Sequence, residues 1–406
     1  MDDTETGRLS RRRLLRTAGG TGLAGLVAGG AASVPLRNGR PVPLTAIGAT
    51  AVLFHGARQA GITTRAQAVG HLVAFDLAAG ADRRATAALL RRWSDAAAAM
   101  TAGRTPDDDD QIALDAGPCA LTVTFGFGRT LFPKIDREPP AGLAPLPPFA
   151  ADALDPRRGG GDLWIQIGAD DAPVAFHALR TLQRRAAGTA RIRWQMSGFN
   201  RARGATDRPR TARNLMGQID GTRNPRPGDT GFDAAIFVGP DAPDTWMRGG
   251  SYAVVRRIRM LLDDWDRLPL DRQEKVIGRR KANGAPLSGG TETTAPDLVS
   301  VRPDGSPAIP ADAHVRVAAP ESNGGATMLR RSFSYHDGLR PDGTPDAGLL
   351  FVAWQADPTT GFVQVQRKLD GADHLTRFIR HESSAVFAVP PGAEPGDYVG
   401  RELLET

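Results

Sequence analysis

Three sets of residues in this sequence could do chemistry together. The turn Gly217-Gln218-Ile219-Asp220-Gly221-Thr222-Arg223-Asn224 sets a carboxyl group between two glycines, and far downstream stand the isolated His314 and the doublet Arg330-Arg331. An acid, a nitrogen ligand and a fixed cation are what is needed to hold haem iron on one face and break a peroxide on the other. Each also has an ordinary reading. Asp-Gly is a common turn pair. A single histidine in the short apolar run Ala313-His314-Val315-Arg316-Val317 suits a hydrogen-bonded core residue. Two arginines at a strand edge would simply meet solvent. Context raises the first reading. Gly221, Thr222, Arg223 and Asn224 offer free amides, a hydroxyl and a guanidinium able to bind an anion such as a haem propionate. On a strand, neighbours point to opposite faces, so only one of Arg330 and Arg331 can enter a given pocket.

The remaining histidines offer no competing metal centre. His71 opens a strand, His177 lies in a helix, and His55, His336, His374 and His381 are isolated; none forms a His-Glu-x-x-His or two-histidine-carboxylate spacing. A site with several protein ligands is therefore not expected. Haem needs only one histidine, because the porphyrin supplies the in-plane nitrogens. The only cysteine, Cys119, excludes an intramolecular disulfide and any cysteine-built zinc or iron–sulfur site.

The elements that must position these residues follow from pattern and composition. The chain has 406 residues, enough for two or three domains, and its 41% hydrophobic and 24% charged fractions are those of a folded soluble protein. A net charge of +6, carried by arginines scattered among aspartates with few aromatics, argues against nucleic acid as a partner. At the amino terminus, Ser10-Arg11-Arg12-Arg13-Leu14-Leu15-Arg16 precedes a glycine- and alanine-rich apolar run that resembles a twin-arginine signal and is too weakly apolar for a permanent span. Residues 1–44 are read as this signal and a linker, implying the twin-arginine export machinery as a partner and an extracellular, cell-envelope or periplasmic address. That route carries proteins already folded, often around a cofactor.

Strands are predicted at residues 51–55, 71–77, 120–127, 163–167 and 192–197, with helices at 82–100 and 172–187. Strand, helix, strand, strand, helix, strand is the order of a ferredoxin-like α+β unit with an antiparallel sheet. A similar set follows: strands at 252–262, 326–335, 349–355 and 385–388, and helices at 271–278 and 358–370. Two such halves, residues 45–205 and 206–406, are the economical architecture.

Taken in order, Gly217-Gln218-Ile219-Asp220-Gly221-Thr222, Ala313-His314-Val315-Arg316, Met328-Leu329-Arg330-Arg331-Ser332-Phe333-Ser334-Tyr335 and Gly348-Leu349-Leu350-Phe351-Val352-Ala353-Trp354-Gln355 resemble the signature of dye-decolourising peroxidases. The resemblance continues through residues 361–369 to Pro390-Pro391-Gly392 and is greatest to the exported branch that includes deferrochelatase-like peroxidases. It implies two ferredoxin-like domains with one haem b per chain, mainly in the second. It further implies that Asp220 is the distal acid–base residue, His314 the proximal iron ligand and Arg330 the distal arginine, with Arg331 the alternative. Arg223 and Asn224 would contact haem and Phe351 would line the distal side. Ser332 departs from the family's usual glycine after the two arginines. The implied activity is oxidation of dyes, phenolics or similar organic reductants by hydrogen peroxide through a ferryl intermediate, with an acidic optimum set by the carboxylate. Two other readings stand beside it: an exported deferrochelatase that releases iron from haem, and a non-catalytic haem-binding or haem-delivery protein. The oligomeric state, a homo-oligomer included, is left open by the sequence.

Overall fold

The computed structural model describes residues 47–206 and 210–406. The signal expected in residues 1–44 lies outside them. The first half builds β1 (Val69–Leu77), α1 (Arg83–Thr101), β2 (Thr122–Gly128), β3 (Leu163–Ala169), α2 (Ala172–Ala186) and β4 (Ala190–Phe199). Asp82 starts α1 by accepting from the Ala85 amide at 2.8 Å, which satisfies one of the donors a helix start leaves unpaired. Leu89, Leu90, Trp93, Ala97 and Met100 then form a buried stripe at helical spacing. Trp93 stacks on Phe125 of β2 at 5.6 Å and donates to the Leu182 carbonyl of α2 at 2.8 Å, so one side chain joins both helices to the sheet. Asp171 caps α2 through the Val174 amide, with Pro173 in the first turn where its missing N–H costs nothing.

The second half supplies β5 (Ser251–Met260), β6 (Leu329–Arg330), β7 (Phe333–Leu339), β8 (Pro345–Gln355), β9 (Ile379–His381) and β10 (Ala385–Val389), with α3 (Leu270–Ile277), α4 (His314–Val317) and α5 (Gln364–Ala372). The order β4-β1-β3-β2 in the first half is repeated as β10-β5-β8-β7 in the second, and all recorded pairings between strands are antiparallel. The α+β class and the two antiparallel ferredoxin-like sheets expected from the sequence are therefore present. The sheets also meet edge to edge, β4 on β7 and β2 on β10, which closes the eight strands into a barrel and leaves few free edges. Its interior is apolar and aromatic, with Trp164 stacked on Phe387 at 5.2 Å and Phe333, Leu350, Val352 and Trp354 beside them. Gly70 pairs with Gly198 across β1 and β4. A Cβ on Gly70 would lie 2.4 Å from the Phe333 ring, so the glycine makes room for that side chain.

Three expected elements differ. Residues 51–55 form no strand: Phe54 is buried while Leu53 is 77% exposed, an alternation produced by a loop that anchors one ring without pairing. The strand expected over 326–335 begins only at Leu329. From there β6 and β7 keep one register against β8, Leu329 opposite Trp354 and Phe333 opposite Leu350. The helix expected over 358–370 opens with a wider π turn at Thr359–Val363 before α5. No described helix is long and apolar enough to cross a membrane.

Candidate active site

On the outer face of β5 and β8, Ile258, Leu349 and Phe351 form the floor of a cavity of about 270 Å³. Strand alternation explains this. Phe351 and Leu349 turn outward while Leu350 and Val352 fill the barrel. The same alternation separates the two arginines. Arg330 lines the cavity. Arg331 is 4% exposed on the opposite face, where it donates to the Thr64 carbonyl at 2.9 Å and to Gln67. Burial, aided by nearby Arg65, pushes its guanidinium down to about 10.

Asp220 and Arg330 meet across the cavity wall, Nη1 to Oδ1 at 3.5 Å, each about one-third exposed. Both are held from behind. Asn214 donates to Asp220 Oδ2 at 3.4 Å, and its own carbonyl oxygen accepts from the Met216 and Gln218 amides, at 3.0 and 3.2 Å, fixing the turn that presents the acid. Gly217 and Gly221 have φ of +76° and +112°, values that an L side chain resists. Asn224 clamps Arg330 at both levels. Its amide donates to the Arg330 carbonyl at 2.6 Å, and its oxygen accepts from the Arg330 backbone N–H and from Nε, both at 3.2 Å.

His314 lines the same cavity from α4. Its Nδ1 lies 2.7 Å from Asp373 Oδ2, a carboxylate 2% exposed, which leaves Nε2 as the nitrogen for a metal. Burial opposes a charged ring, but the Asp373 charge and hydrogen bond outweigh it and the histidine titrates above its usual range. Asp373 is the residue that sequence reasoning missed. It follows α5 and caps the next helical turn through the Leu375 amide at 2.9 Å, so an N-cap reading could have found the position but not its partner.

The loop residues have other ties. Thr222 donates to Glu292 at 3.0 Å, and Arg223 pairs with Glu321 at 3.3 Å on the surface. Two further unpredicted groups face the cavity. His381 is 3% exposed and both its ring nitrogens lack partners; burial, then Arg256, lowers it to about 3. Arg279, 6% exposed, gives Nη1 to the carbonyls of Gly284 and Glu292 at 2.7 and 2.9 Å, while its buried Nη2 has none. A buried guanidinium nitrogen without an acceptor calls for an anion. Apolar walls, a histidine oriented by an acid and an unsatisfied arginine together fit haem with its carboxylates.

Residues 59–200 match the profile described as Dyp-type peroxidase, N-terminal, and residues 211–394 that of Dyp-type peroxidase, C-terminal. The chain belongs to the dye-decolourising peroxidase family. It is 45% identical to the dye-decolorizing peroxidase of Thermobifida fusca over 99% of both chains, and 33% identical to the deferrochelatase of Escherichia coli K12, again over 99% of both. Among solved structures, the DyP-type peroxidase of Streptomyces coelicolor shares 61% identity with a TM-score of 0.88, covering 90% of this chain and 100% of that one. Ferric DtpA of Streptomyces lividans matches with the same figures. As a dye-decolourising peroxidase the protein is a haem enzyme that uses hydrogen peroxide.

Proposed function

We propose that this peroxidase works with Asp220 as acid–base group, Arg330 as charge stabiliser and His314 as the single iron ligand, on dyes, phenolics or similar reductants. The observation that carries the reading is the shared cavity: Asp220 and Arg330 stand 3.5 Å apart and line one cavity with His314 and Phe351. Haem, when bound, supplies the iron that accepts peroxide and stores its oxidising equivalents. His314 Nε2 would hold it, with Asp373 fixing the tautomer through Nδ1, and Arg279, Arg223 and the amides of Gly221 and Thr222 would meet its carboxylates. Asp220 takes a proton from one oxygen of hydrogen peroxide and delivers it to the other, which leaves as water. The Arg330 guanidinium offsets the charge that develops as the O–O bond lengthens. Residues 45–205 and 206–406 are then the two domains, the second carrying most of this site.

Asn224 works through Arg330. Asn224→Ala frees the arginine at its backbone and its Nε, and a misplacement of about an ångström can cost on the order of 10²-fold. The expected result is a fall in kcat/KM for peroxide of about tenfold to a hundredfold with an unchanged Soret band. An unchanged rate would remove the clamp from the mechanism.

The peroxidase reading is tested by adding peroxide and a phenolic reductant to haem-loaded protein and following dye oxidation together with the porphyrin. Turnover with iron retained supports it. Accumulation of metal-free protoporphyrin would favour instead the activity named for the Escherichia coli relative. Stable haem without peroxide consumption would favour carriage, for which the Asp220–Arg330 pair has no use. Export through the twin-arginine route is proposed from residues 10–34, and fusion of residues 1–44 to a reporter that must fold before translocation tests it; lysine at Arg11 to Arg13 should retain the reporter inside.

A further inference from the structure

A second cluster of ligand-type side chains lies in the first half, where the mechanism has no use for it. Asp107-Asp108-Asp109-Asp110 forms a loop laid against α2. His177, 5% exposed, turns its Nε2 to Asp109 and stands 3.7 Å from Asp110 Oδ1. One ligand atom from each of the three side chains falls within 4.8 Å of the others. The acids are themselves sheltered, 6% and 19% exposed at the side chain. A second observation comes from the helix. Thr181 lies one turn beyond His177, and Arg184, two turns beyond it, reaches Asp110 Oδ2 at 3.1 Å, so the three positions lie within about 60° of one another around the helix. Thr181 is 1% exposed and its hydroxyl has no partner. A buried, unpartnered hydroxyl one helical turn from His177 adds an oxygen donor on the same side of α2.

We propose that Asp109, Asp110 and His177 form a divalent-metal site for an ion of the zinc or manganese class, which clamps the acidic loop to α2. The donor set selects the ion. One imidazole nitrogen and two carboxylates suit borderline transition ions, whereas calcium prefers an all-oxygen shell of six to eight ligands. Ligands at about 2.0–2.2 Å from zinc stand about 3–4 Å from one another, so closing the set asks only for small side-chain rotations. Arg184 is the built-in competitor. Its guanidinium occupies Asp110 in the absence of an ion and must give way when one binds. The pattern was invisible in the sequence because the histidine and the acids are far apart along the chain and join only when the loop packs on α2.

The test uses haem-loaded protein stripped of divalent ions and titrated calorimetrically with MnCl2 or ZnCl2, the free Mn2+ signal being followed by electron paramagnetic resonance. Saturable binding of one ion per chain is expected, with an unchanged Soret band. H177Q and D110N should each weaken it by about tenfold or more, and R184Q should tighten it by removing the competing cation. D110N keeps the His177–Asp109 pair, so it decides the matter even where H177Q fails to fold. Absence of saturable binding, binding indifferent to D110N, or a preference for Ca2+ would overturn the proposal and leave an ion pair only.

Discussion

His314→Ala is expected to yield folded protein that does not retain haem. Purified with added haem and passed through a sizing column, the variant should lose its Soret band, while its far-ultraviolet circular dichroism stays that of the parent. Among the described residues lining the cavity, His314 is the one imidazole held by a carboxylate. Its Nδ1 is committed to Asp373 at 2.7 Å, whereas His381, the other histidine in the cavity wall, has no partner on either nitrogen and is pushed down to about 3 by burial and Arg256. The fold has little to lose, because His314 opens a four-residue helix and makes no side-chain cap. Asp373→Asn grades the effect. Asparagine still caps the turn at Leu375 but cannot raise the basicity of the ring, and losing such a partner typically costs about 10–100-fold in affinity or activity. Exogenous imidazole should restore a Soret band to His314→Ala and not to Asp373→Asn. A His314→Ala protein that holds haem as tightly as the parent would overturn the assignment.

That pair also shows what could be read from the sequence and what could not. His314, Asp220 and Arg330 could be proposed from the sequence because local order singles them out, as an isolated histidine, a glycine-bracketed turn and a doublet on an alternating strand, and all three line one cavity. The alternation further required that Arg330 and Arg331 part company, and they do, one to the cavity and one to Thr64 and Gln67. Asp373 and the grip of Asn224 on Arg330 were not legible, since each depends on a contact between segments distant in the chain. The repeated strand-helix order was visible in composition and period, but closure of the two sheets into one barrel was not. The β4–β7 seam rests on a single recorded pair, Phe199 with Ser334, and no local pattern announces an edge that will be met by another sheet. Residues 51–55 failed for the opposite reason, because a loop anchored by one ring imitates the period of a strand.

Asp220→Asn and Arg330→Leu are expected to be the most damaging changes to turnover that leave haem in place. Each should keep the Soret band, because neither supplies the iron ligand. Removing the proton shuttle should lower kcat/KM for hydrogen peroxide by about 10²–10⁴-fold, and removing the cation by about 10²–10³-fold. The pH profile separates them. The acid limb that a working carboxylate imposes should vanish in Asp220→Asn and persist, at reduced rate, in Arg330→Leu. Thermal stability should hardly respond, since an ion pair exposed by about a third on each side is worth no more than about 1 kcal/mol. The double variant is the sharper test. In the proposed mechanism the two groups, 3.5 Å apart, serve one event, departure of the far oxygen as it gains its proton, and residues acting as a unit do not add. The double variant should therefore be only modestly slower than the worse single one. Losses that multiply in full would mean the two act in separate steps, and a parental rate in Asp220→Asn would pass the proton to another group, for which the cavity wall's remaining carboxylates, Glu321 and Asp373, are already engaged with Arg223 and His314.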